Sequence, residues 1–190
     1  MVPDELNVWA TFRYSLGYPD EERHLRFQAL FDDVPGTLPD LRALYIRLFE
    51  AGAPQAQCPL LESAYVLSRR PGEIVLENKL FYQHFGLQVD TRAAPDHLLT
   101  QLEFLAWLDY CLEEGNADSE SIVRGRREFA QRHLAHWLPK AMNLAEGGGP
   151  YAKLLAALAA EADRRPAWSE RPSSYQLDSG EPARERSCEK

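Results

Sequence analysis

Two histidines, His133 and His136, stand three residues apart in a stretch that reads as helix, so both imidazoles can share one face. A zinc hydrolase would combine such a pair with a third ligand and a nearby glutamate base, as in HExxH. Neither follows at the expected spacing. On a helical wheel His133 lies beside Ile122, Phe129 and Trp137, the surroundings of a hydrogen-bonded histidine in or at the edge of a core. The run Gly147-Gly148-Gly149 has the composition of a phosphate cradle, yet no Gly-Lys-Ser/Thr follows and Lys153 is misplaced for a P-loop. It reads instead as a flexible joint between helices. No GxSxG elbow is present. Asp109 stands out because its wheel position falls between Leu98 and Leu102, in the middle of an apolar face. A carboxylate there needs an Arg or Tyr from another helix. Asp96-His97, taken alone, is a helix start.

The elements that carry these residues are helical. Apolar residues recur at three- and four-residue spacing, and strand alternation is missing. The periodicity predicts helices over 4–16, from Asp20 onward, over 38–50, over 73–85, over 95–115, over 119–137 and over 150–163. The helix from Pro95 is the longest and should be central, because leucines, Phe104 and Cys111 cover more than half its circumference. Pro95 suits its first position and Asp96 its first turn. Ala51 to Pro59 is a Pro-rich surface loop, Leu60 to Ser68 a short helix or turn, and Pro139 closes the sixth helix. The expectation is an all-α, single-domain helical bundle over residues 1–165, with a disordered tail over 166–190, where large apolar residues thin out.

Charge and composition narrow the partners. The chain carries 21 Lys+Arg against 29 Asp+Glu, a net −8, which repels phosphate backbones and favours a basic peptide. Three scattered cysteines form neither a disulfide framework nor a zinc site. No signal peptide or membrane-spanning stretch is recognisable, and the mid-chain Arg69-Arg70 has no apolar run behind it. The expected location is the cytoplasm.

Several phrases line up in order: LYIRLF (44–49), CPLLESAY (58–65), FYQHFGL (81–87), PDHLLTQLEFLAWL (95–108), FAQRHLAHWLP (129–139) and YAKLLAAL (151–158). The series, over roughly Leu41 to Leu158, resembles the TorD/DmsD/NarJ family of redox-enzyme maturation chaperones. The resemblance implies an all-helical fold and a non-enzymatic cytoplasmic chaperone without a cofactor of its own. It implies a molybdoenzyme catalytic subunit precursor, or its twin-arginine signal peptide, as partner. A monomer is expected, with a domain-swapped dimer as the alternative. Carried over, the family's binding residues are Asp96, His97, Leu60, Glu62, Ser63 and Tyr65. Many members have Glu-Pro or Glu-Leu shortly before the Asp-His pair, where this chain has Ala93-Ala94. On physical grounds, Asp96, Glu62 and Glu103 are expected to face the peptide's arginines while an apolar groove takes its hydrophobic part. A small helical metal-dependent hydrolase built on His133, His136 and an acidic group is the competing reading.

The composition of 166–190 makes one prediction. A chain ending at Arg165 should melt within a few degrees of full length, because the tail has no sustained apolar face to bury. A large drop in a thermal melt would mean that Trp168 or Tyr175 packs on the core.

Overall fold

Helix α5, Leu98–Glu113, is the axis of the molecule. The computed structural model describes residues 7–50, 56–90, 92–115 and 119–164. Along α5, Leu98, Leu102, Leu105 and Leu108 are fully buried, with Phe104 and Cys111 close behind. A helix apolar on so many sides must be surrounded, and it packs against α1 (Val8–Ser15) and α6 (Ser119–Phe129). Helices α2 (Glu21–Leu30) and α3 (Leu38–Tyr45) pair with each other, and a π-helix over Ile46–Glu50 prolongs α3. Next come a 3-10 turn at Glu62–Ala64 and α4 (Pro71–His84), which packs on it. After α6, a second π-helix (Ala130–Leu134) leads into α7 (Leu138–Leu144) and α8 (Pro150–Ala162), which pack together. Among the described residues the strand-like pairing is one antiparallel bridge, Leu61 to His97. No described helix is long and apolar enough to cross a membrane.

The predicted all-helical bundle is therefore what forms, with local differences that have physical reasons. Side chains of Asn7, Asp20 and Thr37 accept from the backbone N–H groups of Ala10, Arg23 and Asp40. Such caps contribute about 1 kcal/mol each and fix where α1, α2 and α3 begin. Helix α5 starts three residues later than expected: His97 is its cap, and Pro95 and Asp96 lie outside it. Pro71 opens α4 two residues ahead of the predicted start at 73, and Pro139 sits in the first turn of α7 rather than closing a helix. A proline lacks only a donor that the first turn leaves unpaired anyway. The Pro-rich connection is not wholly on the surface, since Cys58 is fully buried and its backbone N–H donates to Leu48 O at 2.7 Å; Ala51 to Gln55, like the 166–190 tail, lie outside the described residues.

The triple glycine is also not a loose joint. Gly149 has φ +56°, and a Cβ there would lie 3.1 Å from Asp33 O. The glycines let α8 enter tightly against the α2–α3 connection, bringing Tyr151 into edge-to-face contact with Phe27, Tyr45 and Phe49 at centroid distances of 5.3–5.7 Å.

Asp109 has the partner its position demands, Arg126 of α6. The Asp109 side chain is 12% exposed and the Arg126 side chain 38%. Asp109→Ala should therefore destabilise by about 1–2 kcal/mol, because Arg126 loses a charge-assisted bond yet keeps some access to water. Chemical denaturation measures it, and unchanged stability would mean that this pair is not formed in solution.

Candidate functional site

The short stretches that follow Pro59 and Pro95 meet, the second after a turn closed by His97 N–H to Ala94 O. Leu98 N–H donates to Leu60 O at 2.8 Å, and Glu62 N–H donates to Asp96 O at 3.0 Å. The Asp96 carboxylate accepts from Ser63 N–H at 3.2 Å, so it caps the 3-10 turn of the opposite segment. His97 caps α5, its Nδ1 accepting from Leu99 N–H at 3.2 Å. That leaves Nε2 to carry the proton of the neutral ring.

Glu62 then turns inward. It is fully buried, and its carboxylate accepts from Gln101 Nε2 at 2.8 Å, Asn78 Nδ2 at 3.0 Å and His133 Nδ1 at 3.0 Å. The donors come from α5, α4 and the second π-helix. The π turn, closed by Ala135 N–H to Ala130 O, orients His133 toward Glu62 between the rings of Phe81 and Phe129. Asn78 also donates to Ile74 O, which uses both its hydrogens, so its 3.1 Å approach to His133 Nδ1 is a by-product of sharing one acceptor. At the outer edge, His136 Nε2 stands 3.7 Å from the other Glu62 oxygen. Tyr65 closes the segment: its ring stacks on Trp137 at 5.1 Å, its hydroxyl donates to Cys58 Sγ, and its carbonyl accepts from Lys140 Nζ. Burial pushes the Tyr65 phenol and the Cys58 thiol up, so both stay protonated.

The structure thus brings together six of the seven residues expected from the sequence, but not in the expected posture. Leu60, Glu62, Tyr65 and Asp96 are buried, while Ser63 and His97 are half-buried. Glu62 and Asp96 spend their oxygens inside the protein rather than facing outward. Glu103 is apart from them, on the exposed side of α5, where Arg13 pairs with it at 3.2 Å. Glu103 instead edges a groove of about 350 Å³ between α5 and residues 87–90 that follow α4. The floor and walls are Tyr82, Leu87, Val89, Phe104 and Trp107, and Asp90 stands on the rim with Glu103. Tyr82 ties groove to junction, since its hydroxyl donates to Pro95 O at 2.7 Å.

His133 and His136 do converge on an acidic group, as the hydrolase reading requires. Their near nitrogens face the Glu62 carboxylate itself, however, His133 in hydrogen-bonding geometry and His136 at 3.7 Å, rather than a common open point. Among the described residues no set of three His, Cys, Asp or Glu side chains is arranged to hold a metal. Asn78 and Gln101 were missed from the sequence. Each is a polar residue within an apolar stripe, Asn78 between Ile74 and Tyr82 and Gln101 beside Leu98 and Leu105, the same signal that marked Asp109.

Burial holds His97 and His136 below the ordinary histidine value of 6.5, against the opposing pull of Asp96 on the first and Glu62 on the second. The unfolded chain then binds protons more readily than the fold, so stability is full above pH 6.5 and falls as pH drops below it. Melting at pH 5.5 should come earlier than at pH 7.5. His97→Asn, which keeps a capping oxygen and cannot titrate, should flatten part of that difference; an unaltered pH slope would remove His97 from the account.

Residues 19–143 match the family model described as nitrate reductase delta subunit. The chain is 40% identical over 131 residues to a chlorate reductase assembly chaperone of Ideonella dechloratans, covering 64% of this chain and 66% of that one. A selenate reductase assembly chaperone of Thauera selenatis is 42% identical over 107 residues, 53% and 54% of the two chains. A perchlorate reductase assembly chaperone of Dechloromonas aromatica is 32% identical over 167 residues, 70% and 73%. The alignments thus span about two thirds of the first of these relatives and about half of the second. The fold matches a crystal structure from Archaeoglobus fulgidus described as a redox enzyme maturation protein, at TM-score 0.54 and 20% identity over 86% of this chain and 98% of that one. The chain belongs to the nitrate reductase delta subunit family, the TorD/NarJ-type assembly chaperones.

Proposed function

We propose that this protein is a cytoplasmic chaperone for the catalytic subunit of a molybdopterin-containing reductase. It holds the precursor while cofactor and partner subunits are added. The segment held is basic and apolar, in the manner of a twin-arginine signal peptide. The groove beside α5 carries this reading: an aromatic and aliphatic floor takes an apolar stretch, and Asp90 and Glu103 on the rim take guanidinium groups. Arg13 and Arg92 already touch these two carboxylates, but such exposed pairs contribute little and are readily exchanged. His97 Nε2–H and Ser63 extend the same surface across the junction. Leu60, Glu62, Tyr65 and Asp96 serve it from beneath by holding the junction in shape. A net charge of −8 speeds the encounter with a cationic segment. Holding a peptide requires no turnover.

The test uses a fluorescein-labelled peptide with an Arg-Arg pair followed by an apolar run. Glu103→Lys combined with Asp90→Lys should weaken its binding about tenfold or more, as expected when charge complementarity is reversed, and should leave the helical circular dichroism intact. Asp96→Asn should act differently, lowering the melting temperature because the Ser63 cap is weakened. Peptide affinity unmoved by the double reversal, with the fold intact, would sink the groove assignment.

A further inference from the structure

The chain is acidic overall, yet one face is not. Residues 124–132 read RGRREFAQR, with four arginines and one glutamate. Helix α6 cannot turn them inward. Its inner side is fixed by Ile122 and Phe129 in the core, by Arg126 on Asp109, and by the Phe85 ring, which lies so close to Gly125 that a Cβ there would overlap it. Arg124, Arg127, Glu128 and Gln131 therefore share the outer side, one or two turns apart, with Arg132 at its end. Together they line an open trough of about 490 Å³. A smaller hollow of about 160 Å³ at the end of α8 adjoins it, and Arg127 and Gln131 line both.

The ion pairs around the trough are uneven. Arg124 reaches Glu120 only at 3.6 Å, with both side chains more than 70% exposed. Arg132 is shared between Glu77 at 3.1 Å and Glu128 at 3.7 Å. Arg127 is half-buried, and among the described residues no carboxylate lies within ion-pairing distance of it. A guanidinium partly withdrawn from water and left without an anion is where a partner's anion gains most.

We propose that this trough is a second docking surface, one that takes an acidic polypeptide segment with Arg127 as its central contact. The shape favours a peptide over a small phosphate. The trough is open, its walls are side chains of α6 and the start of the second π-helix, and no glycine-rich turn of backbone N–H groups lines it to enclose a phosphate. Its charge is also opposite to that of the groove beside α5, so one partner protein can be gripped through a basic segment at one site and an acidic segment at the other. Two weak contacts on one partner then multiply through effective concentration. That the partner is a reductase subunit rests on the reading above; the site itself rests on the charges alone.

The experiment measures anisotropy of a fluorescein-labelled peptide rich in Glu and Asp, beside a Ser/Gly peptide of equal length, at low salt. The acidic peptide should bind and the neutral one should not, and affinity should fall steeply as NaCl is raised. Arg127→Glu should weaken binding about tenfold or more and Arg127→Gln by less, typical of reversing rather than removing a charge at an interface. Neither should shift the melt by more than a few degrees, since among the described residues Arg127 holds no ion-pair partner. The Arg-Arg peptide should bind both variants as well as it binds the parent. The proposal is overturned if the acidic peptide binds no better than the neutral one, if Arg127→Glu leaves affinity unchanged, or if millimolar inorganic phosphate displaces the peptide completely. Loss of the Arg-Arg peptide alone would count against the client-peptide reading and leave this site standing.

Discussion

A carboxylate with no access to water governs how this bundle is assembled. Glu62 can stay in the interior only because three donors from three different helical segments converge on it, two of them tied in turn to each other through Gln101 Nε2 and Asn78 Oδ1. Moving a carboxylate out of water costs several kcal/mol even after relaxation, and removing one partner of a buried set is more damaging than never having had the set. The network therefore acts as a registration pin. α4, α5 and the second π-helix must arrive at fixed axial positions, or Glu62 is stranded. Hydrophobic burial drives the helices together, but leucine against leucine tolerates sliding that this arrangement does not.

The same pin fixes the surface above it. Because Glu62 points down, Ser63 and Leu61 are held up against Asp96 and His97, and the junction becomes a rigid lip beside the α5 groove. Residues with the look of binding groups thus divide by depth. The deep ones hold shape, and the shallow ones, His97, Ser63, Asp90 and Glu103, are those that the proposed function assigns to a partner. A carboxylate named by a motif need not be a carboxylate that meets a ligand.

Depth is also what the sequence could not convey. Helical periodicity placed the long axis, α2 and α8 within a few residues, since the cap at Asp20, Pro150 at the start of α8 and Gly115 just past α5 are local signals. Asp109 was legible because a charge in an apolar stripe must find a partner, and it found Arg126. The π-helices were not legible: a wide turn leaves no compositional mark, so 119–137 read as one helix, and α7 went unassigned because Pro139 read as a stop. Cys58 read as loop because its neighbours are Pro and Gln, while its burial comes from Leu48 and Ala141, distant in sequence. Asn78 and Gln101 carried the same signal as Asp109 but, being uncharged, raised less suspicion.

The second π-helix carries a constraint on chain length rather than on composition. Such a turn holds one residue more than an α turn, and each residue of an α-helix advances the face by ~100°. Deleting one residue of Ala130–Leu134 would let the segment relax to an ordinary α turn, which leaves the helix on either side in its original register. His136 and Trp137 would keep their places beside Glu62 and Tyr65, whereas His133, inside the turn, would lose the orientation that brings Nδ1 to Glu62. A frame shortened by a single codon here would therefore keep its helices in place and strand the carboxylate they enclose. Relatives that place a histidine at this depth should keep these five residues in number.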